Sequence, residues 1–203
     1  MAKQGGAILV LFFLSIGLFL IPIKFIAVDK SVVINEIVWM GTTNSVNEVW
    51  MELKNLTDHE ILLDGWVLSA RDGQPTINLS GHIAPNGYFL LERTSDETVA
   101  GVPADLIYTG ALSNSGEYLE LKDANGNVVD QIDASGGWTA GDNATKQTME
   151  RNNIDGWQNS LLVGGTPKSQ NSILGGEDDE TEYENDQVFC GNGLVEDNEE
   201  CDD

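Results

Sequence analysis

The sequence predicts an all-β domain, and two observations support this prediction. Short apolar runs separated by Gly, Asn, Asp and Pro recur along the middle of the 203-residue chain, which contains 22 Gly. Within residues 49–54, Val49, Met51 and Leu53 alternate with Trp50 and polar residues, which is the period of a strand with one face in a core. We therefore expect Met51 and Leu53 in the core, and Trp50 half exposed on the opposite face.

Turn residues on either side of the apolar runs place the strands in chain order. The predicted strands cover residues 32–38, 49–54, 61–63, 66–70, 76–79, 88–92 and 128–132, and a further apolar run ends at residue 121. The run at 76–79 is short, so we expect it at a sheet edge. Residues 94–108 show the least regular pattern.

Asn125 and Gly126 stand between two apolar runs and predict a hairpin turn, because both residue types tolerate positive φ. The surrounding oxygen-bearing residues, including Asp123 and Asp130, also suggest a calcium loop. A helix–loop–helix calcium site needs Gly at its sixth position and Glu at its twelfth, whereas here Gly is fourth. The spacing therefore favours the turn over a metal site, and we expect no metal or other cofactor.

Several motifs in a fixed order resemble the lamin tail domain, which also occurs in secreted bacterial and archaeal proteins. They are Ile-Asn-Glu-Ile at 34–37, Val-Trp-Met-Glu-Leu-Lys-Asn at 49–55, Asp-Gly-Trp at 64–66, Ile-Ala-Pro-Asn-Gly-Tyr at 83–88, Leu-Ser-Asn-Ser-Gly-Glu-Tyr-Leu-Glu-Leu at 112–121, Met-Glu-Arg at 149–151 and Trp157. The resemblance implies an immunoglobulin-like β-sandwich over residues 32–163 with Trp66 as its core tryptophan. It implies no catalytic residues, since the family has no catalytic motif.

Residues 1–28 predict a hydrophobic helix that directs export. Lys3 precedes an apolar run at residues 7–23, which is long for the core of a signal peptide and short for a membrane span of about 20 residues. Ala27 could precede a cleavage site, although Phe25 then occupies a position that favours a small side chain. A cleaved signal peptide and an uncleaved anchor both remain open. In either case the chain after Lys30 faces outward, extracellular or at the cell surface.

The net charge of -23 argues against a nucleic-acid partner. Residues 177–203 hold 13 of the 33 acidic residues and no Lys or Arg, so the rest of the chain has 33 − 13 = 20 acidic residues against 10 basic ones. Binding to a phosphate backbone depends on Lys and Arg that displace counterions. We therefore expect no nucleic-acid binding, and an extracellular or cell-surface protein or glycan as the partner.

The sequence predicts two further segments in the C-terminal region. Residues 164–189 form an acidic linker that is expected to be disordered, because like charges repel and apolar residues are few. Residues 190–203 resemble the start of a myxobacterial-type cysteine-rich repeat, with Asn198 where that repeat usually has Gly. Cys190 and Cys201 could form a disulfide in an oxidising compartment. The repeat normally continues with further cysteines, which implies a longer chain.

The residues predict a non-catalytic module. His59 and His82 lack partners at zinc-ligand spacing, and no serine-hydrolase elbow or phosphate-binding glycine loop occurs. The predicted function is an exported, surface-attached or secreted binding or structural module. One alternative is an accessory module of a secreted hydrolase whose catalytic part lies beyond residue 203. The other is a carbohydrate-binding module with an exposed row formed from the five tryptophans, which are Trp39, Trp50, Trp66, Trp138 and Trp157.

Overall fold

A computed structural model describes residues 30–152 and 156–173, and every regular element in them is a β-strand. The twelve strands of this part of the chain are β1 (Val32–Val38), β2 (Trp50–Asn55), β3 (Ile61–Leu62), β4 (Val67–Ala70), β5 (Thr76–Asn78), β6 (His82–Ile83), β7 (Tyr88–Arg93), β8 (Leu106–Tyr108), β9 (Tyr118–Lys122), β10 (Val128–Asp133), β11 (Gln147–Arg151) and β12 (Trp157–Val163). The described residues contain no helix long and apolar enough to cross a membrane. The predicted export segment, the acidic run from residue 177 and both cysteines lie outside them.

Two sheets form a sandwich. The larger sheet has the order β12-β11-β1-β2-β7-β8 and the smaller one β10-β9-β4-β5, while β3 and β6 form a separate short pair. All pairs in these sheets are antiparallel except β7 with β8. One apolar cluster joins the sheets and includes Met51 and Leu53 from β2, both fully buried, and Leu121 from β9. Trp66 belongs to the same cluster and is 9% exposed.

The short strand β8 lies in the region whose sequence pattern is least regular. It pairs in parallel with β7 at the sheet edge, with Arg93 opposite Tyr108. Only three residues take part, and Ile107 between them is exposed. A strand this short shows too little alternation for its pattern to be recognised, so its pairing depends on β7.

The outer face of the larger sheet is buried, which corrects the prediction for Trp50. This side chain is 1% exposed, and it packs in a second cluster with Val38 and Leu90. Val99 and Val102, from the segment between β7 and β8, pack against that cluster. Alternation along β2 correctly separates the two faces, but it carries no information about a distant segment that covers one of them.

Residues 164–172, called the strap below, correct the predicted start of the linker. They follow β12 and lie on the outer face of the larger sheet, where Thr166, Lys168 and Ser172 donate backbone N–H groups to buried carboxylates. Their polar, glycine-containing composition is typical of a linker. In the fold the same polar groups hydrogen-bond to the sheet, so the domain extends past Val163.

The loop between β9 and β10 contains the predicted turn residues. Gly126 has φ +82, and its N–H donates to the carbonyl of Asp123 at 2.9 Å. The Asp123 carboxylate accepts the N–H groups of Asn125 and Asn127 at 2.9 and 2.8 Å. Asn125 has no positive φ, so the loop is a type I turn followed by a left-handed glycine, not the two-residue turn that the Asn-Gly pair suggests.

Candidate binding site

Three buried glutamates lie in a row across the outer face of the larger sheet. Glu36 on β1 is the direct cross-strand partner of Glu150 on β11 and of Glu52 on β2. Each of the three is 0% exposed. Directly opposed residues on antiparallel strands have Cβ atoms about 4.5–5.5 Å apart, so neighbouring carboxylates in this glutamate row are close together.

The strap covers the row and supplies one backbone donor to each carboxylate. The Thr166 N–H donates to Glu36 at 3.1 Å, and the Lys168 N–H donates to Glu52 at 2.6 Å. At the end of the strap, the Ser172 N–H donates to Glu150 at 3.0 Å. The burial of polar groups without hydrogen bonds is costly, so these contacts fix the path of the strap over the sheet.

Side chains complete the hydrogen bonding of the row. The hydroxyls of Thr148 and Thr166 donate to Glu36, the Asn35 amide donates to Glu52 at 3.0 Å, and the Gln158 amide donates to Glu150 at 2.8 Å. Gly165 passes so close that a Cβ on it would lie 1.9 Å from the Glu36 carboxylate. A side chain at this position would therefore displace the Glu36 carboxylate or Thr148.

Burial raises the pKa of two members of the row. The pKa of Glu36 rises to about 7, mainly through desolvation, and the neighbouring Glu150 carboxylate adds to the rise. Desolvation raises the pKa of Glu52 to about 8, with a smaller contribution from Glu36. Hydrogen bonds from the strap act in the opposite direction, but the loss of hydration outweighs them. Both groups therefore change charge near neutral pH.

A pocket of about 260 Å³ lies beside the row, where β1 begins, β2 and β11 end, and the strap returns. We call it the basic pocket. Its walls contain three cationic side chains, four amides and two aliphatic side chains, which are Lys30, Lys54, Arg151, Asn35, Asn152, Gln170, Asn171, Val33 and Leu56. The described residues include 18 acidic residues against eight Lys and Arg, yet three of those eight line this pocket and no acidic residue does.

Partly buried hydrogen bonds hold Arg151, Asn35 and Asn171 in place. The Arg151 guanidinium donates to the Ile34 carbonyl at 2.8 Å and to the Asp130 carboxylate at 2.5 Å, and it lies 4.7 Å from the ring centroid of Trp157. The Asn35 amide donates to Asn171 at 2.7 Å. A site whose side chains are already fixed loses less conformational entropy when a ligand binds.

Lys54 is a cation of the pocket that lies against an aromatic ring. Its ammonium group lies 5.1 Å from the centroid of the Tyr88 ring, a cation–π contact, and the residue is half-buried. It is placed there by its β-strand pairing with Val33, another residue of the pocket wall.

The other residues considered for function lie elsewhere. Asp130 is buried and bound to Arg151, whereas Asp123 caps its own turn, so the two carboxylates considered for calcium have separate roles. Within the described ranges no three His, Cys, Asp or Glu side chains are grouped as metal ligands. His59 and His82 are exposed beside Asp58 and Glu60.

The five tryptophans do not form an exposed row. Trp50 and Trp66 are buried, and Trp157 lies under Arg151. Trp39 and Trp138 stack on each other with centroids 6.0 Å apart and planes 4° apart. Their indole N–H groups donate to the carbonyls of Ala140 and Ser113. The rings thus fasten the loop after β10 to the end of β1, and the aromatic platform expected of a carbohydrate-binding module is not formed by these residues.

The family model for the Lamin Tail Domain matches residues 27–136, more than half of the chain. The chain belongs to the lamin tail domain family. This family consists of non-catalytic immunoglobulin-like modules. The matched part of this lamin tail domain holds β1 to β10, whereas β11, β12 and the strap follow it. No curated protein matches the chain.

Sequence reasoning did not identify the basic pocket or the glutamate row. Lys30, Lys54 and Arg151 are far apart in the chain, and only the pairing of β1 with β2 and β11 brings them together. The row had a weak signal, because Glu36, Glu52 and Glu150 each interrupt an apolar strand. This pattern is also typical of a sheet face in water, so it could not show that the carboxylates are buried.

Proposed function

We propose that this lamin tail domain is exported and is a non-catalytic binding module that holds a carboxylate-bearing glycan in the basic pocket. The observation that carries the proposal is the convergence of three cationic side chains, without an acidic one, on a domain that is otherwise acidic. A carboxylate is attracted by this group of cations, whereas the acidic surface around it repels large polyanions.

The position of the pocket favours a sugar over an extended peptide. Peptides often bind sheets by adding a strand at a free edge. The pocket lies over β1 and β2, which have partners on both sides in the larger sheet. Amides such as those of Asn152 and Gln170 both donate and accept hydrogen bonds, which suits vicinal hydroxyl groups. The volume of about 260 Å³ suits a sugar-sized group.

Export is supported by residues 1–28, with their apolar run behind Lys3. The remaining part of the proposal concerns the C-terminal region, where Cys190 and Cys201 would pair as the beginning of a cysteine-rich repeat. Both parts are tested by mass spectrometry of the chain produced with residues 1–30 intact. We expect the chain in the fraction outside the cytoplasm, with a mass lower by two hydrogen atoms than that of the reduced chain. A cytoplasmic chain with two free thiols would contradict both parts.

Calorimetric titration with trigalacturonate tests the pocket. Lys54→Gln removes one charge and should weaken binding at least about tenfold, the scale of one charge-assisted hydrogen bond. The matched control is Lys122→Gln, because Lys122 lies on the smaller sheet, where it pairs with Glu120. This control should bind as the unchanged protein does, and uncharged galactotriose should not bind.

The outcomes separate the possible sources of the carboxylate. Tighter binding of trigalacturonate than of triglutamate supports a glycan partner. Equal or tighter binding of triglutamate would show that the pocket recognises carboxylates of an acidic peptide, which contradicts the glycan proposal. Equal losses in Lys54→Gln and Lys122→Gln would show that the attraction is nonspecific.

A further inference from the structure

The strap both closes the glutamate row and builds one wall of the basic pocket. Gln170 and Asn171 line the pocket, whereas Thr166, Lys168 and Ser172 on the same strap donate their N–H groups to the three carboxylates. We infer that the glutamate row and the strap form a pH-dependent clasp, which is closed at acidic pH and opens as the pH rises past neutral. The wall that the strap gives to the basic pocket is then complete only while the clasp is closed. The effect on the ligand rests on the proposed function, whereas the movement of the strap does not.

The charges around the row explain why ionisation would open the clasp. Glu36 faces a carboxylate on each neighbouring strand, so a second and third negative charge would be buried beside the first. The Lys168 ammonium pairs with Asp105 at 2.9 Å, and Arg151 pairs with Asp130. The charge of Lys54 lowers the pKa of Glu52, but that effect is smaller than the effect of burial.

Glu92, a fourth buried glutamate of the larger sheet, faces a different cover. It lies on β7 under the segment between β7 and β8, where its carboxylate accepts the N–H groups of Thr98 and Val99 at 3.0 and 3.2 Å. Burial raises its pKa as well, and Asp96 adds to the rise. Because these contacts are made to the 94–105 segment, an effect of Glu92 would appear first in that segment, which meets the strap through the Lys168–Asp105 pair.

The strap is the side of the clasp that can move. The glutamates stand on β1, β2 and β11, which are interior strands held by ladders on both sides. The strap has no strand pairing. It is held by hydrogen bonds to the row and to Asn35, by the Lys168–Asp105 pair, and at its two ends by hydrogen bonds to Lys146 and Arg151. Burial raises the pKa of Glu36 to about 7 and of Glu52 to about 8, which places the opening between neutral and mildly alkaline pH.

Amide hydrogen exchange of the full chain at pH 6 and pH 9 tests the movement. After correction for intrinsic exchange, the protection of the Thr166 and Lys168 amides should fall at least about tenfold, since one coupled proton changes an equilibrium tenfold per pH unit. The amide of Leu121 in β9 should stay far better protected at pH 9 than the strap amides, which excludes global unfolding as the cause of their exchange. The double variant Glu36→Gln, Glu52→Gln should lose this pH dependence, and the exposed control Glu60→Gln should retain it.

Two adjacent glycines provide a second test. Gly164 and Gly165 have φ +81 and +80, so alanine adds the same backbone strain at either position. A Cβ at Gly165 would lie 1.9 Å from the Glu36 carboxylate, whereas a Cβ at Gly164 would meet nothing within 4 Å. We expect Gly165→Ala to expose the Thr166 and Lys168 amides already at pH 6, and Gly164→Ala to leave them protected.

Titration with trigalacturonate at the two pH values completes the experiment. The ligand carboxylates stay ionised throughout this range, so an intact pocket should bind equally at both. We expect at least about tenfold weaker binding at pH 9, and no such change in the double Gln variant. Strap amides that stay protected at pH 9 would overturn the clasp, even if the sugar binds. Strap amides that open while the sugar binds at neither pH would support the clasp and overturn the proposed function.

Discussion

The outer faces of the two sheets of the sandwich differ in how deeply they are buried. In the smaller sheet, burial alternates along β4, β5 and β9, with half-buried or exposed residues between buried ones. In the larger sheet, all seven residues of β1 are buried, and so are five of the six in β2. Similar strand sequences therefore end in different environments, and what differs is whether another segment covers the sheet.

The covers of the larger sheet have different chemistry. The segment between β7 and β8 brings Val99 and Val102 onto Trp50 and forms a small apolar core. The strap brings backbone N–H groups onto three carboxylates. The first cover stabilises through apolar burial, which is insensitive to pH, whereas the second depends on the protonation of the groups beneath it.

The largest expected effect comes from the tryptophan under the first cover. Trp50→Ala should lower the free energy of unfolding by about 3–5 kcal/mol, the usual cost of removing a buried aromatic side chain. Trp66→Ala, between the sheets, should cost about the same. Tyr118→Ala, on the outer face of the smaller sheet, should cost about 1 kcal/mol or less. Denaturant unfolding measures all three, and equal costs for Trp50 and Tyr118 would remove the distinction between the faces.

The next largest expected effect is a fall in stability with rising pH, caused by the glutamate row. The folded-state pKa values of Glu36 and Glu52 are raised, so the stability they contribute is fully present below their unfolded pKa and is lost as the pH rises through about 7 and 8. The free energy of unfolding should fall between pH 5 and pH 9, by on the order of a few kcal/mol. The double variant Glu36→Gln, Glu52→Gln should flatten this decline.

Glu120, a carboxylate on the smaller sheet, should affect stability in the opposite direction as the pH changes. The hydrogen bond from Lys122 holds the pKa of Glu120 below its usual value, so its contribution is lost as the pH falls through that lowered pKa. Glu120→Gln should therefore leave the decline between pH 5 and pH 9 unchanged. A flattened decline in this variant would show that the pH effect does not belong to the buried row.

A smaller effect is expected at the β9–β10 turn of the smaller sheet. Gly126 has φ +82 and open space around it, so Gly126→Val adds conformational strain without a clash. The expected cost is about 1–2 kcal/mol in thermal or denaturant unfolding. Gly136→Val is the control, because Gly136 also has open space but no positive φ. If both variants cost the same, the left-handed conformation is not the cause.

The smallest expected effect is on nucleic acid, where we predict none. The basic pocket holds three cations, whereas the whole chain carries a net charge of -23. Duplex DNA binding requires several phosphate contacts at once. A mobility-shift assay at physiological salt should show no complex, and a salt-sensitive shift would mean that the pocket is part of a larger basic surface.

The sequence alone determined the fold class and most of the strands. Alternation and turn residues depend on local backbone geometry, so they correctly indicated β1, β2, β4, β7 and β10 and the position of Gly126 in a turn. The order of the motifs indicated the lamin tail domain, which the family match confirms. The burial of Met51 and Leu53 follows from the same alternation, because one face of nearly every sheet meets a core.

Only the tertiary structure decided what covers the second face. The burial of Trp50 depends on a segment about 50 residues away, and the burial of Glu36 depends on Thr166, which is 130 residues away. The basic pocket likewise needs Lys30, Lys54 and Arg151 from three separate strand ends. The alternation along a strand shows which face of the sheet a side chain is on, but not which distant segment it contacts. That contact depends on the order of the strands and on the path of the chain between β7 and β8 and after β12, none of which is encoded in the alternation.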